Sequence, residues 1–137
     1  MIYNLEITCS KSRLTDIRHF VADILDKHDY PEVEAHKLVL AVDEVCANLI
    51  IHANNCNPAE HLSLAIEYNE KKSIIFEITD KGIGFDMNKY QEPSLSELVE
   101  SKRKGGLGLM LVKRIMDKIE FKSEKNNNIC RLIKLMN

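Results

Sequence analysis

The chain has 137 residues, 45% of them hydrophobic and 29% charged, which suits one globular domain with its own core. Its 19 basic and 21 acidic residues leave a net charge of −2, excluding the overall basic surplus of a general nucleic-acid binder but not a local basic patch. No apolar run is long enough to span a bilayer, MIYNLEITC is not a secretory leader, and Cys9, Cys46, Cys56 and Cys130 form no CxxC pair; we therefore expect a reduced, cytoplasmic protein without a zinc site, a disulfide framework or a membrane anchor.

Residues 2–9 alternate apolar and polar (Ile2, Leu5, Ile7, Cys9) and predict a strand. Ser10 or Ser12 is placed to cap a helix reaching Lys27, with Leu14, Ile17, Phe20, Val21, Ile24 and Leu25 as its apolar stripe. Pro31 opens a second and longer helix to about Ala53, cored by Leu38, Ala41, Val42, Val45 and Leu49. NNCNP (54–58) has turn chemistry. Residues 62–69 and 73–79 predict two strands joined by a hairpin, followed by the glycine-punctuated DKGIGFD. Residues 86–104 are polar and end in Lys102, Arg103 and Lys104; they predict a loop. A helix is expected over 108–118, then strands over 119–124 and 129–136 around an NNN turn. The order β-α-α-β-β-loop-α-β-β predicts an α+β fold: a two-layer sandwich whose mixed, mostly antiparallel sheet carries helices on one face.

Three clusters carry candidate chemistry, each with an ordinary alternative. Glu44, Asn48 and His52 stand at i, i+4 and i+8, so they project from one face of the long helix between core residues. A solvated polar stripe would look the same. Asp80-Lys81-Gly82-Ile83-Gly84 follows an apolar strand, placing a carboxylate at the sheet mouth and glycines where backbone can approach a ligand. A plain Asp-Gly turn is the common alternative. Gly105-Gly106-Leu107-Gly108-Leu109 opens a helix behind three basic residues, a position that suits phosphate, although flexible helix entries share this composition. Neither a Rossmann fingerprint, a P-loop nor a nucleophile elbow is present.

In this order and spacing the three clusters resemble the GHKL (Bergerat-fold) ATPase and kinase superfamily: EVCAN its N-box, DKGIG its DxGxG box and GGLGL its glycine-rich box, over nearly the whole chain. The short length, ANLIIHAN and RLIKLM resemble its anti-sigma-factor serine-protein kinases. The resemblance implies one ATP-binding kinase domain over 1–137 in the Bergerat, histidine-kinase-like ATPase fold, with a mobile ATP lid over about 86–104. It further implies that Asn48 ligates Mg²⁺, Glu44 is the general base, and Asp80 recognises the adenine amine. Gly82 and Gly84 would pass close to the base, Gly106, Leu107 and Gly108 would give N–H groups to the phosphates, and Lys104 would close over the γ-phosphate. His52 takes a structural place near the helix end. Arg18 falls where the subgroup meets its partners, although an exposed arginine is ordinarily just solvated. One departure stands out. Relatives carry a hydroxyl near the start of the last strand, where this chain has Ile129 and Cys130.

The implied activity is ATP-dependent phosphorylation of a serine on a STAS-type anti-anti-sigma protein, by a homodimer that otherwise holds a sigma factor, with no direct contact to nucleic acid or membrane. The alternative is a catalytically inactive ATP-binding switch module for a regulatory partner. The catalytic piece of a histidine kinase fits less well, because His19 is not set in a hairpin of two long helices.

Overall fold

In a computed structural model of the protein, which describes residues 1–53, 57–80, 104–124 and 127–136, each helix and strand expected outside the lid is present. Strands β1 (Ile2–Thr8), β2 (His61–Asn69), β3 (Ser73–Asp80), β4 (Lys118–Glu124) and β5 (Asn127–Leu135) form one sheet in the order β1-β2-β3-β5-β4. Every neighbouring pair among them is antiparallel rather than mixed. The two-residue period places Leu62, Leu64 and Ile66, then Ile74, Phe76 and Ile78, then Cys130 and Leu132 on one buried face. Each such large side chain contributes about 1.5–3 kcal/mol when fully buried.

Helices α1 (Leu14–Lys27), α2 (Glu32–Asn48) and α3 (Lys104–Ile115) complete this core, with α2 packed against both of the others. Helix α1 buries Ile17, Val21, Ile24 and Leu25, as its spacing predicts. A single 3₁₀ turn over Lys11–Arg13 precedes it, and the expected serine cap is not made: Ser10 and Ser12 instead pair through their hydroxyls at 2.9 Å. At its other end Tyr30 N–H donates to the Leu25 carbonyl and Asp29 N–H to that of Asp26, a Schellman closure. Asp29 takes the left-handed position (φ 58°) that glycine usually fills.

Helix α2 is regular as far as Asn48 and then widens into a π-helical turn over Leu49–Ala53, within the span expected to be plain α-helix. Three boundaries moved by more than a residue, one of them the end of α3, which falls at Ile115 instead of 118. Helix α3 begins at Lys104 instead of 108, so the whole glycine-rich box lies inside it, and packing on α2 overrides the weak helix preference of glycine there. Strand β5 begins at Asn127, so two of the three asparagines expected to turn are paired with β4. No helix among the described residues is long and apolar enough to cross a membrane.

Candidate functional site

The site is assembled from the C-terminal half of α2 and from the end of the sheet where β3 stops. On α2, Glu44 and Asn48 stand one turn apart, between the core positions Ala41, Val45 and Leu49. Asn48 is only 7% exposed, and its Nδ2 has no hydrogen-bond partner. A buried amide of that kind costs about 1–3 kcal/mol unless something satisfies it.

Glu44 is half-buried. Burial pushes its carboxyl pKa up, and the neighbouring charge of Asp43 pushes it further in the same direction. A carboxylate so placed holds a proton more readily than one in water, which is what a general base near neutral pH requires. Asp43 is itself raised by burial, against the opposing charge and hydrogen bond of Arg18. The Arg18 Nη1 lies 3.1 Å from Asp43 Oδ1, and its Nη2 donates to Thr15 Oγ1 at 3.1 Å. Arg18 is therefore tied to the helix that carries Glu44, rather than merely solvated.

Asp80 ends β3 and is 1% exposed. Its register partner across the strand pair is Asn128 of β5, itself 8% exposed, and the two point to the same covered face. The Ser123 hydroxyl of β4 donates to Asn128 Oδ1 at 3.0 Å. Sequence reasoning passed over Asn128 because NNN suggests a turn. The signal was the alternation running back from Leu132 through Cys130 to residue 128.

Ile129, one of the two residues found in place of the expected hydroxyl, points to the open face of the sheet. The other, Cys130, is buried, and burial together with the charge of Asp80 pushes its thiol up to about 12. The wholly buried Cys46 thiol is raised by burial and then by Asp43, Cys130 and Cys9. Cys46 thus lies within electrostatic reach of Asp43 on α2 and of Cys130, the thiol that feels Asp80.

Of the other sequence-predicted positions, Gly106 falls in the first turn of α3, with Leu107, and Gly108 begins the second. The N–H groups of a first helical turn have no intrahelical acceptor. Gly82, Gly84 and the lid through Arg103 lie outside the described residues, as do the side chains of His52, Lys104 and Leu107.

An amide oxygen from Asn48 is chemically suited to Mg²⁺, a hard cation that takes one or two protein oxygens and keeps waters and phosphate oxygens for the rest. The unpartnered Nδ2 fits this, because no hydrogen bond from that nitrogen holds the amide away from a ligand. No group of three or more His, Cys, Asp or Glu among the described residues forms a separate cation cage.

Comparison with known proteins bears on the family and the fold. Residues 7–134 match the model of the histidine kinase-like ATPase domain. The chain is 34% identical over 113 residues to the serine-protein kinase RsbW of Halalkalibacterium halodurans, covering 79% of this chain and 67% of that one. It is 31% identical over 111 residues to RsbW of Bacillus pumilus, covering 76% and 67%. Among solved structures, the RsbU and RsbW domains of a Mycobacterium tuberculosis protein superpose with a TM-score of 0.66 at 10% identity, over 98% of this chain and 32% of that longer one. The SiaB–SiaC complex of Pseudomonas aeruginosa gives 0.63 at 18% identity, over 99% and 89%. At these identities the two structures speak for the fold alone.

Proposed function

The chain belongs to the histidine kinase-like ATPase family, on the branch of the RsbW serine-protein kinases, and from that premise we infer that it is an ATP-dependent protein serine kinase that acts as an anti-sigma factor. The observation that carries this reading is the pairing on α2 of a half-buried carboxylate with raised proton affinity and a buried amide one turn away. A binding module needs only the second of these.

The acceptor serine hydroxyl approaches the γ-phosphorus of ATP. Its oxygen forms the new P–O bond while the bond to the β-phosphate oxygen breaks, and ADP leaves. Glu44 takes the hydroxyl proton as that oxygen attacks. Asn48 would hold Mg²⁺, which when bound offsets the phosphate charge. Asp80, whose carboxylate can only accept, receives the exocyclic amine of adenine. The first-turn N–H groups of α3, including that of Gly106, face anionic phosphate at the positive end of the helix dipole, with Leu107 and Gly108 continuing that wall. Gly82 and Gly84 keep the chain close to the base, and Lys104 closes over the γ-phosphate.

The partners proposed are a sigma factor, held while the antagonist is phosphorylated, and a STAS-type anti-anti-sigma protein that supplies the serine. Such partners place the protein in the cytoplasm. A homodimer is the expected assembly, and the open sheet face offers a surface for it: Ile75 and Ile133 pair across β3 and β5 there, beside Glu77 and Arg131.

The test is transfer from γ-labelled ATP with Mg²⁺ to candidate STAS-type proteins, using wild type, Glu44→Gln and Asn48→Ala. Transfer to serine that Glu44→Gln abolishes while still binding ATP supports the kinase. ATP binding with no transfer to any candidate replaces it with a nucleotide-gated binding module. No ATP binding removes both readings.

A further inference from the structure

Among the described residues the large hydrophobic side chains left exposed are Met1, Ile2, Val33, Leu40 and Leu135. Met1, Ile2 and Leu135 sit where the first and last strands run out. The other two both stand on α2, the helix of Glu44 and Asn48, at 66% and 41% exposure. Single exposed apolar side chains are ordinary on any surface. The alignment of these two is not. At about 3.6 residues per turn, Val33, Leu40 and Glu44 fall within about 40° of one another around the helix axis. Ala47, half-buried, continues the row one turn beyond Glu44. Lys37, between Val33 and Leu40, leans on an exposed pair with Glu34 at 3.6 Å. The buried residues Leu38, Val42 and Val45 occupy the far side of the helix, and α1 and α3 both pack against it. The row is therefore the outward side of α2, and it runs directly to Glu44.

Resting on the reading of Glu44 as the base, we propose that the outward row of Leu40 and Val33 is the docking surface for the protein that supplies the acceptor serine. Two constraints lead there. A base works only within hydrogen-bond reach of the proton it takes, so the serine hydroxyl must come to Glu44. The attacking and leaving oxygens stand roughly in line across the γ-phosphorus, so the serine arrives from the side opposite ADP. In that reading ADP lies toward Asn48, C-terminal to Glu44 on α2. The other way along the helix stands Leu40, one turn back, and then Val33. A serine in a protein brings its surroundings with it, and on the outward side of α2 those surroundings meet Leu40 first. A rise of about 1.5 Å per residue sets the match required of the acceptor: one apolar side chain about 6 Å from its serine, over Leu40, and a second about 16 Å away, over Val33. Covering the two side chains removes apolar surface from water, which favours docking. The row thus serves selection of the protein substrate, and Glu44 the transfer.

The experiment is steady-state transfer from γ-labelled ATP with Mg²⁺ to a STAS-type protein that takes phosphate from the wild-type chain, with the acceptor concentration varied. Wild type, Leu40→Gln, Val33→Gln and the double variant are compared. Glutamine is neutral and suits a helix, so it removes the apolar contact without placing a charge beside Glu44. Leu40→Gln is expected to raise the acceptor KM about tenfold, Val33→Gln about threefold and the double variant about thirtyfold. Turnover at saturating acceptor and calorimetric ATP affinity stay within about twofold of wild type, because docking is lost and the reaction is not. Urea midpoints stay at the wild-type value, since both positions are exposed. An unchanged acceptor KM in the double variant overturns the proposal and leaves the kinase reading standing. A fall in kcat at unchanged KM does the same, and means that Leu40 acts through Glu44. An unchanged KM with an altered oligomeric state in sedimentation overturns the proposal and gives the row to a second copy of this chain. Transfer by wild type to no STAS-type protein overturns the proposal and the kinase reading together.

Discussion

The two ends of the sheet are built from the same strands to opposite purposes. At one end β3 stops at Asp80, with Asn128 beside it on β5 and Asn48 buried on α2. At the other end the chain closes on rings. Tyr68 stacks on His28 at 3.8 Å between centroids and 19° between planes, the Tyr3 hydroxyl and His28 Nε2 lie 2.9 Å apart, and Tyr30 meets Tyr68 edge-on at 6.4 Å. Such aromatic contacts add about 0.5–1.5 kcal/mol each beyond the area they bury. The ring end uses half-buried aromatic groups to hold the end of α1 onto the strands, whereas the polar end gathers buried Asn48 and Asp80, the groups proposed to meet the nucleotide. On the proposed function, stability and ligand binding are thus separated along the length of the strands.

The largest test of that separation is Glu44→Gln. It keeps the shape of the side chain and removes the proposed base, so serine phosphorylation is expected to fall by about 10²–10⁴-fold, with nucleotide affinity little changed. Steady-state transfer and calorimetry on the same sample check it. Equal losses of transfer and binding would mean that the polar end is not divided into base and binding groups. Next is Phe76→Ala, at a wholly buried position midway along β3. It is expected to cost about 3–5 kcal/mol in urea unfolding, with both ends of the sheet lost in one transition. Separate transitions would show that the ends are held independently.

The sharper contrast is between two buried polar atoms without hydrogen-bond partners, one at each end: Asn48 Nδ2 and the Tyr30 hydroxyl. Asn48→Leu should raise the stability of the nucleotide-free protein by about 1 kcal/mol while weakening Mg²⁺-dependent ATP binding by about 10–100-fold. Tyr30→Phe should leave nucleotide binding and transfer unchanged and remove a pH dependence. Burial pushes the Tyr30 phenol from its usual 10 up to about 12. The folded state therefore keeps a proton that the unfolded chain releases, and stability falls as pH rises from about 10 toward about 12. Thermal melts of wild type and Tyr30→Phe should differ by a constant amount from neutral pH up to about 10 and by a growing amount from there toward about 12.

Much of this division was legible in the sequence. Alternation marked β2 and β3, and with them the place where Asp80 ends a buried strand. Helical spacing put Glu44 and Asn48 on one face. What was hidden depends on contacts between distant positions. Asn128 reads as a turn residue until β5 is paired with β3, when it becomes the neighbour of Asp80. The helix beginning at Lys104 contradicts the local preference of its glycines and is set by packing on α2. The π-helical turn after Asn48 has no residue signature in LIIHA. Arg18 and Asp43 lie 25 residues apart, and nothing local to either announces the ion pair.

That pair gives the smallest expected effect and the finest test, because it reaches into the polar end from the surface of α1. Asp43 and Glu44 are both raised, with burial as the largest cause, so in the folded state each keeps its proton to a higher pH than in the unfolded chain. The stability they contribute is present in acid and is lost as pH rises through their raised folded values. Arg18 opposes the shift at Asp43 by charge and hydrogen bond. Arg18→Ala should therefore carry the loss to higher pH and deepen it, by less than about 1 kcal/mol for so exposed an arginine. Asp43→Asn should remove most of the difference between wild type and Arg18→Ala. Urea midpoints measured from pH 4 upward check both. A constant offset between wild type and Arg18→Ala at every pH would mean that Arg18 only packs against α2 and does not tune Asp43 and Glu44.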